Sequence, residues 1–256
     1  MTYYTGIDIG STATKVVVLS DGAVADRFTL PTGWSSKETA GEVSRRLAAS
    51  GYPVTGETRV IATGYGRVSV AYAARTVTEI SCHGRGGYAL MGRDCTVVDI
   101  GGQDTKVITV ENGMASSFLM NDKCSAGTGK FLEIMANRLG VDMAELFDMA
   151  EKGEPLAISS MCTVFAESEV ISHIGAGERR EDIAAGVVDS VVNKVGGLCL
   201  RHQIRGDVIL TGGLCDCAYL VKRLSAKIKA PVHSDPMGRY AGALGAALIA
   251  CGRKTL

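Results

Sequence analysis

The sequence has no excess of charge of either sign, no leader-like start and no apolar run long enough to cross a membrane. Lysine plus arginine and aspartate plus glutamate both number 27, so the formal net charge is zero and no basic stripe indicates nucleic-acid binding. The first residues enter a strand pattern directly, without the basic and apolar regions of a signal peptide. The longest apolar stretch, 241–251, is too short and too rich in glycine to span a bilayer. These absences predict a cytoplasmic protein that binds neither nucleic acid nor membrane.

The chain also lacks the closely spaced cysteine run with which ferredoxins hold an iron-sulfur cluster. Its eight cysteines favour thiols or metal ligands over disulfides in a cytoplasmic protein. Cys124 and Cys162 stand just before predicted helices at 128–139 and 164–174, where the helix dipole favours a thiolate or an anionic cluster. A cubane takes four thiolates, so a twofold dimer would supply two from each chain.

Four other residues are weaker candidates for redox or metal chemistry. Cys215 and Cys217 form the competing pair of ligands, but their one-residue spacing beside a glycine-rich loop favours structural thiols. Cys82 and His83 are neighbours on a predicted helix at 79–91. We interpret them as packing or partner-contact residues, while a redox or metal role stays open.

A glycine-containing loop occurs twice in the sequence and predicts phosphate binding. Residues 6–15 read Gly-Ile-Asp-Ile-Gly-Ser-Thr-Ala-Thr-Lys, and residues 98–106 read Val-Asp-Ile-Gly-Gly-Gln-Asp-Thr-Lys. Each copy follows an apolar strand and carries an aspartate, a glycine and a lysine at equal spacing: Asp8, Gly10 and Lys15, then Asp99, Gly101 and Lys106. Because a β-branched strand follows, we predict strand–turn–strand hairpins whose glycines let phosphate oxygens approach the backbone. Two copies in register indicate a duplicated domain.

The predicted architecture is α/β, with two halves that each contain a strand meander followed by helices. The first half is residues 1–94, and the second half, with both candidate cluster cysteines, is residues 95–256. A final helix at 242–251 can pack back on the first half. At 256 residues the chain is long enough for two such cores. Facing halves of this kind form a ligand cleft at their strand ends.

Six motifs together resemble one family. They are Gly-Ile-Asp-Ile-Gly-Ser-Thr at 6–12, Glu-Ile-Ser-Cys-His at 79–83, Asp-Ile-Gly-Gly-Gln-Asp at 99–104, Asn-Asp-Lys-Cys-Ser-Ala-Gly-Thr-Gly at 121–129, Cys-Thr-Val-Phe-Ala-Glu-Ser-Glu-Val at 162–170 and Thr-Gly-Gly at 211–213. With them the chain resembles the ATPase activators of 2-hydroxyacyl-CoA dehydratases, of the BadF/BadG/BcrA/BcrD type. These belong to the superfamily of acetate and sugar kinases, chaperone ATPases and actin. The resemblance spans almost the whole chain, and its cysteine motifs separate it from the kinases.

The resemblance implies a duplicated actin-like ATPase fold, with two domains around a nucleotide cleft. It also implies a homodimer that shares one 4Fe-4S cluster, with Cys124 and Cys162 as the ligands. In such activators, ATP hydrolysis drives one low-potential electron into a cysteine-rich iron-sulfur partner enzyme. That partner is expected to be of the 2-hydroxyacyl-CoA dehydratase or the double-cubane reductase type, with ferredoxin or flavodoxin as the electron donor.

The two hairpins also predict the residues that handle ATP and Mg2+. The candidate catalytic residues are Asp8, Asp99 and Gln103, because the aspartates can place hydrated Mg2+ and the attacking water. The candidate nucleotide-binding residues are Gly10, Ser11, Thr12, Lys15, Gly101, Gly102, Gly127, Gly129, Glu133, Thr211, Gly212 and Gly213. Ser11 and Gly102 stand directly after the loop glycines, where no carboxylate is available. We therefore expect slow hydrolysis by the isolated protein, which suits a switch.

Two other functions remain open from the sequence. A small-molecule kinase, such as a sugar kinase, would use the same cleft with an acid acting on a substrate hydroxyl. No segment resembles a dedicated sugar pocket. A non-catalytic nucleotide switch of the actin or chaperone type is the third function, but its larger relatives need subdomains that 256 residues do not provide.

Overall fold

A computed structural model describes residues 2–55, 58–159, 162–204 and 206–256. Ser160 and Met161 of the second cysteine motif lie outside the described residues. The helices and strands follow one another as β1 (Tyr3–Ile9), β2 (Ala13–Ser20), β3 (Ala23–Pro31), α1 (Ser36–Ala49), β4 (Thr58–Thr63), β5 (Arg75–Thr76), α2 (Glu79–Met91), β6 (Cys95–Ile100), β7 (Thr105–Glu111), β8 (Met114–Asn121), α3 (Gly129–Leu139), α4 (Met143–Lys152), α5 (Thr163–Gly175), α6 (Arg180–His202), β9 (Val208–Gly212), α7 (Ala218–Ile228), β10 (Val232–His233) and α8 (Ala241–Cys251).

The two sheets of the chain repeat one strand order. The first sheet has the order β3-β2-β1-β4-β5, and the second has β8-β7-β6-β9-β10. In the first sheet, β1 pairs antiparallel with β2 and parallel with β4. Corresponding strands therefore occupy corresponding places, so the duplication predicted from the repeated loop is present in the topology.

The chain forms two compact units. The first consists of Met1–Val97, Ile108–Phe118 and Asp235–Leu256, and the second of Val98–Val107 and Leu119–Ser234. These units follow the contacts between residues, whereas the predicted halves 1–94 and 95–256 follow the sequence repeat. The domain boundary at residue 95 therefore stays a prediction.

The first sheet is covered by helices on both faces. Val16 and Val18 of β2 pack in one core cluster with Val43 of α1, whereas Val17 and Leu19 pack in another with α8. Successive side chains of a strand point to opposite faces. The three consecutive valines of β2, Val16–Val18, are thus explained by a strand that is buried on both sides, as in sheets flanked by helices.

Helix α6 is the central helix of the second unit's core. Thirteen of its residues are buried, and the cluster around it includes side chains of β6, β9, α3, α4 and α7. By length and composition α6 is the single helix among the described residues that could cross a membrane, but 72% of its apolar window is buried inside the protein. Burial of that kind is typical of a core helix.

Helix α8 is made of small residues because its backbone contacts other backbones. A Cβ atom on Gly245 would overlap the carbonyl oxygen of Cys82 in α2, and one on Gly86 would overlap that of Ala241. A Cβ on Gly6 of β1 would overlap the carbonyl oxygen of Ala243. At these three glycines, α8 therefore approaches α2 and β1 more closely than any side chain would permit.

We expect Gly245→Ala to destabilise the protein. Alanine gains about 1 kcal/mol of helix propensity over glycine, but the overlap with a backbone oxygen forces α2 and α8 apart, at a net cost of roughly 2 kcal/mol or more. Urea unfolding of the variant measures this cost. Gly41→Ala is the matched control, because it also lies in a helix and a Cβ there meets open space. An unchanged free energy of unfolding for Gly245→Ala would contradict the close contact.

Candidate functional site

The first hairpin presents Asp8 at the end of β1. Its carboxylate is buried, and the backbone pairs with Lys15 across the β1–β2 ladder. The turn is closed by a hydrogen bond of 3.2 Å from the Gly10 amide to the Ala13 carbonyl. The Thr32 hydroxyl also donates to the Gly10 carbonyl at 2.8 Å. The predicted strand–turn–strand geometry is therefore present, with Ser11 and Thr12 at the tip of the turn.

The second hairpin has the same turn. The Gly101 amide donates to the Asp104 carbonyl at 2.9 Å, as Gly10 does to Ala13. A Cβ atom on Gly101 would lie 2.5 Å from Asp104 Oδ1. A side chain at residue 101 would therefore displace the Asp104 carboxylate. Gln103 is exposed at the tip, and Gly102 is partly exposed.

Each aspartate is bordered by a glycine from the next strand of its own sheet. Gly64 follows β4 with φ +91°, and Gly212 ends β9 with φ +92°. A Cβ on Gly64 would overlap the carbonyl oxygen of Ile9, and one on Gly212 would overlap that of Ile100. The positive φ and the close approach both require glycine. Gly64 was not among the predicted site residues, although the repeated Thr-Gly of 63–64 and 211–212 is a signal that could have found it.

The two aspartates have different electrostatic environments. Asp99 Oδ1 accepts a hydrogen bond of 2.9 Å from Thr211 Oγ1, and Asp99 Oδ2 lies 3.5 Å from Lys106 Nζ. Asp8 Oδ2 instead lies 4.0 Å from His83 Nε2 in a buried contact. The sequence interpretation of His83 as a packing or partner-contact residue did not include this proximity to Asp8, because nothing in the local pattern indicates which strand end the helix α2 faces.

The second hairpin is hydrogen-bonded to the first turn of α3. The Gly129 amide donates to the Gly101 carbonyl, and the Lys130 amide donates to the Gly102 carbonyl, both at 2.9 Å. The first amides of a helix have no partner within the helix. In α3, two of these amides donate to the turn of the second hairpin, so hydrogen bonds join that turn directly to the start of the helix.

Cys124 and Cys162 lie on two segments that contact each other. The residues that follow them, Ser125 and Thr163, share a hydroxyl–hydroxyl hydrogen bond of 2.7 Å. Both cysteines are partly exposed and lie outside disulfides, and Cys162 is the residue at the N-cap position of α5. Asn121 holds the first segment by donating to the carbonyls of Cys124 and Ala126.

These two thiols fit half of the donor set of a thiolate-held cluster. The described part of the chain brings together no group of three or more histidine, cysteine, aspartate or glutamate side chains that could hold a metal ion. Two partly exposed thiols on contacting segments suit two of the four ligand positions of such a cluster. The structure thus brings the predicted ligands Cys124 and Cys162 into one region of the second unit.

Three other cysteines lie in environments that differ from those of Cys124 and Cys162. Burial raises the pKa of the Cys82 thiol to about 12, so this thiol stays protonated. Burial also raises the pKa of Cys217, whose sulfur accepts the Leu220 amide as the cap of α7. Cys215 is fully buried. The last two environments agree with the interpretation of this pair as structural thiols.

The remaining predicted nucleotide-binding residues lie around the second hairpin. Thr211 and Gly212 are the last two residues of β9, and Gly213, which follows them, is exposed. Gly127 adopts φ +87°, and its carbonyl accepts a hydrogen bond of 2.6 Å from Thr105 Oγ1. Glu133 lies one turn into α3 and pairs with Lys130 at 2.8 Å. Their contact with a nucleotide stays a prediction.

Comparison with known proteins supports an ATPase family. The sequence profile of the BadF/BadG/BcrA/BcrD ATPase family matches residues 5–250. The (R)-2-hydroxyglutaryl-CoA dehydratase activating ATPase of Acidaminococcus fermentans is 42% identical, with 98% of each chain covered. The structure of the activator of 2-hydroxyisocaproyl-CoA dehydratase from Clostridium difficile, with bound ADPNP, superimposes with a TM-score of 0.90. It is 38% identical and covers 97% of this chain and 94% of that one.

A more distant structure shares the fold alone. A ROK family glucokinase from Streptomyces griseus, 13% identical, superimposes with a TM-score of 0.61 and covers 98% of this chain and 99% of that one. The predicted duplicated actin-like ATPase fold is confirmed. The family match covers nearly the whole chain, and the Acidaminococcus fermentans relative matches over 98% of its length. The chain therefore belongs to the BadF/BadG/BcrA/BcrD ATPase family.

Proposed function

We propose that this protein is an ATP-dependent reductive activator, which passes a low-potential electron from a 4Fe-4S cluster to a partner iron-sulfur enzyme. The observation that supports this most strongly is that α3 and the segment before it connect the phosphate loop to both thiol segments. The first turn of α3 is hydrogen-bonded to the phosphate loop at Gly101 and Gly102. The segment just before α3 carries Cys124 and contacts the segment of Cys162. A movement of the loop is thus transmitted to both thiol segments through a few hydrogen bonds.

On the nucleotide side, the hairpins bind the ATP phosphates through their tip amides and hydroxyls. Asp8 and Asp99 place hydrated Mg2+ and the attacking water, and Gln103 orients that water. Lys15 contributes positive charge to the phosphates of the first hairpin. Gly127, Gly129, Glu133 and the loop 211–213 hold the nucleoside. No carboxylate stands directly after Gly10 or Gly101, so hydrolysis is slow until a partner docks.

On the cluster side, Cys124 and Cys162 of each subunit in a homodimer hold one 4Fe-4S cluster. When bound, such a cluster supplies a one-electron redox couple whose potential depends on its hydrogen bonds and its exposure to solvent. The chain's own residues set both properties. The Ser125–Thr163 hydrogen bond keeps the thiol segments together, and Asn121 fixes the backbone that carries Cys124.

The partner class follows from the relatives. Similar proteins are named as activators of the 2-hydroxyglutaryl-, 2-hydroxyisocaproyl- and lactoyl-CoA dehydratases. For this chain we propose a cytoplasmic activator that serves a cysteine-rich enzyme of the dehydratase or double-cubane reductase type. Ferredoxin or flavodoxin is the proposed donor. The likeness to a glucokinase is a likeness of fold and does not favour a sugar kinase.

Anaerobic purification tests this function. We expect a brown protein with a broad visible absorption band, and nucleotide should change the rate at which an iron chelator strips the iron. Because a ligand shifts a conformational equilibrium only by its differential affinity for the two states, rates with ATP, ADP and no nucleotide should differ by about fivefold or more. A colourless protein that stays free of iron after reconstitution would favour a kinase or a nucleotide switch. Equal rates in all three conditions would leave the cluster uncoupled from ATP.

A further inference from the structure

The second hairpin contains a buried group of three charged side chains, which we call the Lys106 triad: Asp99, Asp104 and Lys106. Each residue is only 3% exposed. Lys106 Nζ lies 2.7 Å from Asp104 Oδ1 and 3.5 Å from Asp99 Oδ2. One cation therefore lies between two carboxylates, and one of these is the carboxylate proposed to act in hydrolysis.

Burying these charges is costly. Taking ions out of water carries a large desolvation penalty, and apolar residues of similar volume often stabilise a fold as well or better. A buried ionic group is therefore weak evidence for a role in stability alone. Its position beside Asp99 suggests a different use.

The first hairpin shows that the turn forms without such a triad. Ala13 occupies the position that corresponds to Asp104, yet the Gly10 amide still closes the turn on the Ala13 carbonyl. Lys15, which corresponds to Lys106, is partly exposed instead of buried. The same backbone is thus built in both copies, and the triad is an addition specific to the second one.

We infer that Lys106 is a positioning residue for Asp99 and that Asp104 anchors it. This inference rests on the proposed role of Asp99 in ATP hydrolysis. Lys106 contacts Asp99 Oδ2 while Thr211 donates to Oδ1, so the carboxylate is held from both sides. The shorter contact with Asp104 keeps the ammonium group inside the hairpin, away from the nucleotide.

The two lysines of the repeat should then act on different steps. Lys15 is available to the phosphates and should affect ATP binding, whereas Lys106 should affect the rate of hydrolysis. A misplaced catalytic group costs up to about 10²-fold in rate without a matching loss of binding. The split between kcat and ATP affinity therefore separates positioning from direct phosphate binding.

The test compares ATP hydrolysis and nucleotide affinity in Lys106→Met and Asp104→Asn. We expect Lys106→Met to lower kcat by about 30-fold or more, while the Kd for ATP, measured by calorimetry, stays within about threefold. Asp104→Asn keeps the shape and the cation but weakens the anchor, so kcat should fall by about tenfold. Lys152→Met, on the exposed end of α4, is the control with unchanged kcat and Kd.

Other outcomes would overturn the inference. A large rise in the Kd for ATP with unchanged kcat in Lys106→Met would make this lysine a direct phosphate ligand. If Lys106→Met does not fold, the inference is tested by Asp104→Asn alone. ATP hydrolysis by Asp104→Asn at the wild-type rate would contradict the proposal that Asp104 anchors Lys106. Normal ATP hydrolysis by Asp99→Asn would remove the role on which this inference rests. The proposed function fails separately, if the anaerobically purified wild-type protein stays free of iron after reconstitution.

Discussion

Replacing either Cys124 or Cys162 with serine is expected to abolish iron binding. Each substitution removes two of the four thiolates from a symmetric dimer, since it is present in both subunits. Serine hydroxyls are poor replacements because they stay protonated at neutral pH. Iron and sulfide analysis of the anaerobically purified protein measures the loss, against about four irons per dimer in the wild type.

Cys217→Ser provides the matched control for this loss. Cys217 caps α7 through its sulfur, and serine is a preferred residue at that position, so folding and iron content should be unchanged. The Ser125–Thr163 hydrogen bond should survive in all three variants. Four irons per monomer, or full iron retention in Cys124→Ser, would exclude a cluster shared between subunits.

Asp8→Asn and Asp99→Asn should each lower the rate of ATP hydrolysis by at least ~10²-fold. The amide keeps the shape of the carboxylate but loses the charge that holds hydrated Mg2+ and orients the attacking water. ATP affinity should change much less, because the tip amides of both hairpins remain. A coupled assay of phosphate release and calorimetry of ATP binding measure the two effects.

An exposed aspartate offers the comparison for these variants. Asp148 lies on the solvent side of α4, and Asp148→Asn should hydrolyse ATP at the wild-type rate. If Asp8→Asn and Asp99→Asn both matched that variant, the two aspartates would be turn residues and nothing more. If only one of the two variants lost ATP hydrolysis, the aspartate of that hairpin alone would place both the Mg2+ and the attacking water.

Elements with a strong local signal could be predicted from the sequence. The helix predicted at 79–91 is α2, with the same bounds, and Thr78 caps it. The hairpins were predictable because the aspartate and the glycine lie within a few residues of each other. Helix α4 was not among the predicted elements, although its capping box of Asp142 and Glu145 is a recognisable start signal.

Contacts between distant residues could not be predicted in this way. The Ser125–Thr163 bond joins residues 38 positions apart, and Thr211 reaches Asp99 from 112 positions away. Lys106 was recognised as part of the repeat, but its burial between two aspartates depends on how the whole second sheet packs. A repeat pattern shows which residues correspond, and it does not show which of them have acquired different partners.

The composition of the first unit has a consequence for the order in which the chain can fold during synthesis. Val17 and Leu19, near the start of the chain, complete their core only with Ala243 and Leu244 of α8. The residues of the second unit end at Ser234, before α8 begins. On the ribosome, therefore, the first unit cannot complete its core until α8 has been synthesised. The second unit has all of its residues available earlier, once Ser234 has been synthesised. The β1–β2 hairpin then exists for most of the synthesis time with one face of its sheet uncovered, which is the condition under which chaperones bind nascent chains.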